Sequence, residues 1–212
     1  MQRSIMQTVT ETMQGTSSKS LSRRQAVRET RYDLVTIVIL FFVFAFAGWI
    51  CEVIYFSFLS GSFVNRGFFH GPWLPIYGFG GVLMTLALKR FANRPVLVFL
   101  FAAILAGSLE YWTSYFLELK FDTTWWDYSE NFMNVQGRIC LQNLVVFGVA
   151  GCFGVGSISP WFNSALTAVD KKTKNQLCVI LLVLFISDVV ISITAPNMGD
   201  MITSYPFHTV HN

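Results

Sequence analysis

Residues 34–59 read LVTIVILFFVFAFAGWICEVIYFSFL, an unbroken apolar run whose one charge is Glu52. A helix needs about 20 apolar residues to cross the hydrocarbon core of a bilayer, so this run is long enough to span. Val96–Leu117 repeats the pattern, with Glu110 as its lone charge. A charge at membrane depth costs roughly 2.5–3.5 kcal/mol on insertion scales, so two carboxylates there point to a purpose. Working outward, Leu74–Leu88, Ile139–Phe162 and Leu177–Ala195 are the remaining long apolar stretches. Leu74–Leu88 is short, and spans only if Gly67–Trp73, broken by Gly71-Pro72, dips into the bilayer ahead of it. Irregular backbone at that depth requires protein or water to cover it. Pro75 fits the first turn of the helix that follows, where its missing N–H costs nothing. The sequence therefore predicts an all-α polytopic membrane protein with about five transmembrane helices, the second preceded by a re-entrant or broken segment.

Composition agrees. Of 212 residues, 53% are hydrophobic and 13% charged, against about 25% charged in an average soluble domain. The 21 phenylalanines suit helix packing in lipid. A net charge of +3 is too small to imply a nucleic-acid partner. The first run exceeds a signal-peptide core and ends without a small-residue cleavage site, so it is expected to be retained. Cys51, Cys140, Cys152 and Cys178 lie in apolar stretches with no CxxC pair, and read as small buried thiols. A Cys51–Cys140 disulfide is the alternative.

Basic residues set the direction. Arg3, Lys19, Arg23, Arg24, Arg28 and Arg31 precede the first span, Lys89, Arg90 and Arg94 follow the second, and Lys171, Lys172 and Lys174 follow the fourth. Only Arg66, Lys120 and Arg138 fall on the alternate side. The positive-inside rule then puts the N-terminus in the cytoplasm and the C-terminus outside. The expected organisation is a basic, disordered or loosely helical cytoplasmic tail over 1–33, a transmembrane helical domain over 34–195, and a polar extracytoplasmic tail over 196–212.

In that orientation the ionisable residues inside spans gather in the outer half. Glu52 and Glu110 lie at similar depth, Gln142 and Asn143 near the outer surface, and Asp188 just past the middle of the fifth span. Ala45, Gly48, Glu52 and Tyr55 share one face of the first span, and Ala103, Ala106, Gly107, Glu110, Thr113 and Ser114 one face of the third. Small residues beside a buried acid admit a close neighbouring helix. Arg66 and Arg138 are the expected partners of the two glutamates, since a guanidinium fork satisfies a carboxylate at two points. Two readings stand: structural ion pairs that fix the outer loops, or a polar cavity open to the outside. His70 reads as an interfacial hydrogen-bonding residue, and no metal-ligand motif joins it to the glutamates. Trp126, Asp127 and Tyr128 read as an aromatic belt or a lid, and Asn134 begins a turn that delivers Arg138 to the fourth span.

Gly48-Trp49 with Glu52, then Asn65-Arg66-Gly67-Phe68, Gly71-Pro72 and Pro75-Ile76-Tyr77-Gly78 form an ordered series. It continues through Glu110-Tyr111, Trp125-Trp126-Asp127-Tyr128-Ser129, Asn134 and Gly137-Arg138-Ile139-Cys140. Over roughly 42–162 the chain resembles the bacterial putative ABC transporter permease family (type IV). The resemblance implies a multi-pass protein of the bacterial cytoplasmic membrane that takes part in transport, with any ATP hydrolysis on a separate cytoplasmic subunit. The chain itself has no GxxxxGK[ST] phosphate loop and no EAA-type docking loop. Five spans are few for a translocation path, so a homodimer or a partner membrane subunit is expected, with no cofactor. The polar site is expected to draw on Glu52, Arg66, His70, Tyr77, Glu110, Trp126, Asp127, Tyr128, Asn134, Arg138 and Asn143. Two other functions remain open: a membrane sensor or envelope assembly factor, and a membrane-embedded enzyme acting on a lipid-linked substrate.

Overall fold

The computed structural model describes residues 24–203. Five helices form an up-and-down bundle. Helix α1, Leu34–Ser60, starts where the Asp33 carboxylate accepts the Thr36 N–H and stops at Gly61, whose φ of 71° is left-handed. Helix α2, Pro75–Leu88, runs on into a single 3-10 turn at Lys89–Phe91. Helix α3 is Pro95–Phe121. Helix α4, Leu141–Thr167, contains a wide π turn at Gly154–Ile158, and α5 is Lys171–Thr194, capped by Asp170. The π turn has a local cause. Pro160 lacks an N–H and its ring would strike a carbonyl one turn back, and a widened turn relieves that clash.

Among the described residues, α1, α3, α4 and α5 are long and apolar enough to cross a membrane. Helix α2 has 14 residues, or about 21 Å at 1.5 Å per residue, and falls short of the core thickness. The broken segment before it makes up the difference. Leu74 N–H donates to the carbonyl of Ala45 in the middle of α1 (3.0 Å), so this segment descends to that level. Trp73 is buried there among Phe42, Ala45 and Phe185. Protein thus covers this irregular backbone.

Two intimate helix pairs make up most of the bundle. Between α1 and α2, a methyl at Gly48 would overlap the Tyr77 ring. Between α3 and α4, one at Gly151 would overlap Ala102. The buried positions of α3 include Val98, Ala102, Ala106, Glu110, Ser114 and Glu118, a straight stripe at every fourth residue. Below the polar region, Met84, Leu88, Val98, Ala102, Ala106 and Val155 form the apolar core.

At the Leu34 end, Lys174 Nζ donates to Asp33 Oδ2 (2.6 Å) and Thr36 Oγ1 (2.8 Å), and Lys89 Nζ to the Thr30 carbonyl (2.7 Å). Burial pushes the Tyr32 hydroxyl beside Lys89 up to about 12. These contacts anchor the last part of the tail. Residues 24–29 are helical and Val27 is buried, which matches the loosely helical alternative for this part of the tail. At the other end, the segment after α5 packs into the bundle through Asn197. Residues 1–23 and 204–212, with His208 and His211, lie outside the described residues. The four cysteines are free: Cys51 is exposed and Cys140 buried, and no disulfide joins them.

Candidate functional site

The site forms where the C-terminal ends of α1 and α3 meet the N-terminal ends of α2 and α4. Glycine at position 48 lets the Tyr77 ring lie against α1, which brings its hydroxyl to Glu52 Oε1 (2.9 Å). Glu52 Oε2 receives Arg66 Nε at 3.3 Å. The guanidinium does not fork onto the carboxylate. Its other donors go to the carbonyls of Met201, Ile202 (3.1 Å) and Trp125 (3.0 Å), and it stacks on Phe56 at 3.7 Å. Arg66 therefore knots together the first loop, the long loop after α3 and the segment after α5. The Arg66 side chain is 5% exposed and that of Glu52 26%, so the acid is the more accessible member of the pair.

On α3, Glu110 is 5% exposed and its Oε1 accepts the Tyr128 hydroxyl at 3.0 Å. Asn143 of α4 approaches the same carboxylate, yet Oε2 is left without a hydrogen bond. Burial first, then the Glu110 charge, push the Tyr128 hydroxyl far above the usual tyrosine value, so it remains a donor. Glu52 and Glu110 lie close enough to act on each other electrostatically. Tyr77 and Tyr128 are coupled in the same way.

Arg138 was expected, with Arg66, to serve the two glutamates, and is held elsewhere. It binds Glu118 (2.5 Å) and Ser114 (3.3 Å), with Tyr111 and Tyr115 within 5.9 and 5.5 Å of its guanidinium. The reason is axial distance. Arg138 precedes α4 at the level of the last turns of α3, and Glu118 sits two turns beyond Glu110 on the same stripe. Both side chains of this pair are almost wholly buried.

Asp188 on α5 organises the descending segment. Its carboxylate accepts His70 N–H (3.2 Å), Gly71 N–H (2.9 Å), Trp73 Nε1–H (2.6 Å) and the Ser192 hydroxyl (3.0 Å). The exposed His70 ring lies 2.8 Å from the Ala195 carbonyl, away from the glutamates. Asn197 donates to the carbonyls of Asn65 (2.8 Å) and Gly67 (3.0 Å), while Asn65 accepts Trp49 Nε1–H (2.7 Å).

Of the residues singled out in the sequence, Glu52, Arg66, Tyr77, Glu110, Tyr128 and Asn143 thus converge. Arg138 and Trp126 stand beside them, with Trp126 Nε1 donating to the Arg138 carbonyl (2.9 Å). Asp127 and Asn134 build turns instead. Asp127 accepts the N–H (2.8 Å) and hydroxyl (2.6 Å) of Ser129, and Asn134 braces Ser129, Asn131 and Gly137. Glu118, Asp188 and Asn197 were not assigned to the site from sequence. Among the described residues no three His, Cys, Asp or Glu side chains converge as a metal site. A groove of about 390 Å³ lies elsewhere, on an apolar face of α2 and α3 between Leu83, Trp112 and Phe116.

A family model described as "Putative ABC-transporter type IV" matches residues 39–193. Comparison with curated proteins and with solved structures found no match.

Proposed function

The chain belongs to the putative ABC-transporter type IV family, and from that premise we propose that it is a permease-type subunit of the bacterial cytoplasmic membrane. Four helices long and apolar enough to cross a membrane, together with the family, support a membrane protein related to transport. Beyond this, we read the Leu34 end as cytoplasmic and the Glu52–Glu110 end as extracytoplasmic. The distribution of basic residues supports that orientation. A reporter fused in the Lys171–Lys174 loop should be cytoplasmic, and an external position would refute it.

One observation carries the transport reading. Two carboxylates on different helices, each held by a tyrosine, meet at one end of a bundle where lipid would reject them. Glu52, the more accessible of the two acids, would meet the substrate or a coupling ion first, with Arg66 positioning it. Hydrolysis of ATP would belong to a separate cytoplasmic subunit, and a homodimer or a second membrane subunit would complete the path. The test is purification of the tagged chain in mild detergent. An ATPase subunit should accompany it, and its turnover should change with Glu52→Gln. Repeated recovery of the chain alone would count against the proposal.

A second reading, a membrane sensor or envelope assembly factor, draws support from the buried Glu118–Arg138 pair and from Asp188, which fix the outer loops rather than leave them open. A neighbouring ATPase gene favours transport, and an envelope or regulator operon favours this alternative.

A further inference from the structure

Charge does not balance where Glu52, Tyr77, Tyr128, Asn143 and Glu110 meet. Two carboxylates share one guanidinium, and Arg66 gives it to Glu52. Arg138 is engaged by Glu118 and Ser114. Glu110 is 5% exposed, its Oε1 accepts the Tyr128 hydroxyl, Asn143 approaches the carboxylate, and Oε2 is buried with no hydrogen-bond partner. An ionised carboxylate taken out of water without a cation is far costlier than the neutral acid. A metal ion would need further ligands, and no third His, Cys, Asp or Glu joins the two glutamates among the described residues. A proton needs neither a cavity nor extra ligands.

We propose that Glu110 carries an exchangeable proton on Oε2, and that the proton exchanges with outside water by way of Glu52. The groups facing Glu110 are Glu52 on α1, Tyr77 on α2, Tyr128 on the long loop and Asn143 on α4. Cys140 acts on Tyr128 from the start of α4. Release breaks only the O–H bond of Glu110. The proton passes by way of Glu52, the more accessible of the two acids, to outside water, and the remaining carboxylate charge is held by the Tyr128 hydroxyl. The inference deepens the transport reading and rests on it for the use made of the proton, as a coupling ion. The proton's presence is tested without any partner.

The experiment is infrared spectroscopy of the full-length protein in lipid nanodiscs over a pH series. A carbonyl band of a protonated carboxylic acid should appear at mildly acidic pH and decline as pH rises. Its titrating component should vanish in Glu110→Gln, persist in Glu52→Gln with altered pH dependence, and move in frequency in Tyr128→Phe, which removes the bond to Oε1. Absence of the band from the unmodified protein would overturn the proposal, as would an unchanged band in Glu110→Gln. Sodium abolishing the band at constant pH would assign the site to an alkali cation and equally overturn it. If Glu110→Gln fails to fold, the band shift in Tyr128→Phe decides. A missing ATPase partner would leave the spectrum untouched, so the two proposals fail separately.

Discussion

Replacing Asp188 by alanine removes the acceptor for three donors of the descending segment: His70 N–H, Gly71 N–H and Trp73 Nε1–H, at 3.2, 2.9 and 2.6 Å. Asp188 and Trp73 are buried, so water does not readily replace the lost carboxylate. A buried donor left unsatisfied costs about 1–3 kcal/mol; Trp73 Nε1–H is buried and the His70 and Gly71 amides partly so, which makes about 3–9 kcal/mol an upper range for all three if nothing moved. Local relaxation recovers part of this, so the lower end, about 3 kcal/mol, is the expected loss. At 1.4 kcal/mol per factor of ten, the opening equilibrium of residues 70–73 should rise roughly 100-fold. Hydrogen-exchange mass spectrometry in nanodiscs reads this directly. Peptides covering the Gly71 amide should lose protection by about that factor, while peptides from the middle of α3 should not. Asp188→Asn, which keeps one acceptor oxygen, should fall between the two. Unchanged protection at Gly71 in Asp188→Ala would refute the idea that this carboxylate holds the segment at depth.

Three further outcomes follow from the geometry. Glu118→Leu leaves Arg138 buried without its anion and should cost about 3–5 kcal/mol, seen as a lower melting temperature in detergent; Glu118→Leu with Arg138→Met should recover most of the loss. Gly48→Ala pushes a methyl into the Tyr77 ring and should cost about 1–3 kcal/mol, again by melting, while weakening the bond from Tyr77 to Glu52. Asp33→Ala removes both a helix cap and the bond to Lys174, for about 1 kcal/mol of capping and little more from an ion pair whose acid is half exposed. The Lys174 bond and the Thr36 N–H hold the Asp33 carboxyl below its usual value. Its contribution is therefore complete above the ordinary aspartate range and lost as pH falls through the lowered value. Urea titrations at neutral and acidic pH should show that acid-dependent loss in the unmodified protein and less of it in Asp33→Ala.

Apolar run length made the helices legible, because the rule that each span must satisfy its own backbone leaves few alternatives. The short Leu74–Leu88 stretch and the Gly71-Pro72 break likewise announced a half-length helix behind an irregular segment. Guanidinium chemistry pointed to Arg66 and Arg138 as partners of the two glutamates, and Arg66 does meet Glu52. Arg138 goes instead to Glu118, since a residue just ahead of α4 faces the end of α3. The every-fourth-residue step from Glu110 through Ser114 to Glu118 was the signal that could have shown this. Asp188 was placed at the right level but not given a partner. Two of its donors are backbone amides of His70 and Gly71, which leave no trace in residue identity. Asp127 was read as part of a belt or lid, whereas an acid two residues before a serine commonly folds back on that serine.

The wide turn at Gly154–Ile158 makes one helix serve two neighbours. An added residue in a single turn offsets the angular register beyond it by about 100°. Upstream, Gly148 and Gly151 present α4 to Phe99 and Ala102 of α3; downstream, Leu166 reaches Ile39 and Cys178 on α1 and α5. Deleting Gly156 would restore a regular spiral and swing Leu166 away from Ile39. Indel tolerance along α4 should therefore collapse in that half of the helix, even though a methyl added at Gly156 would meet open space.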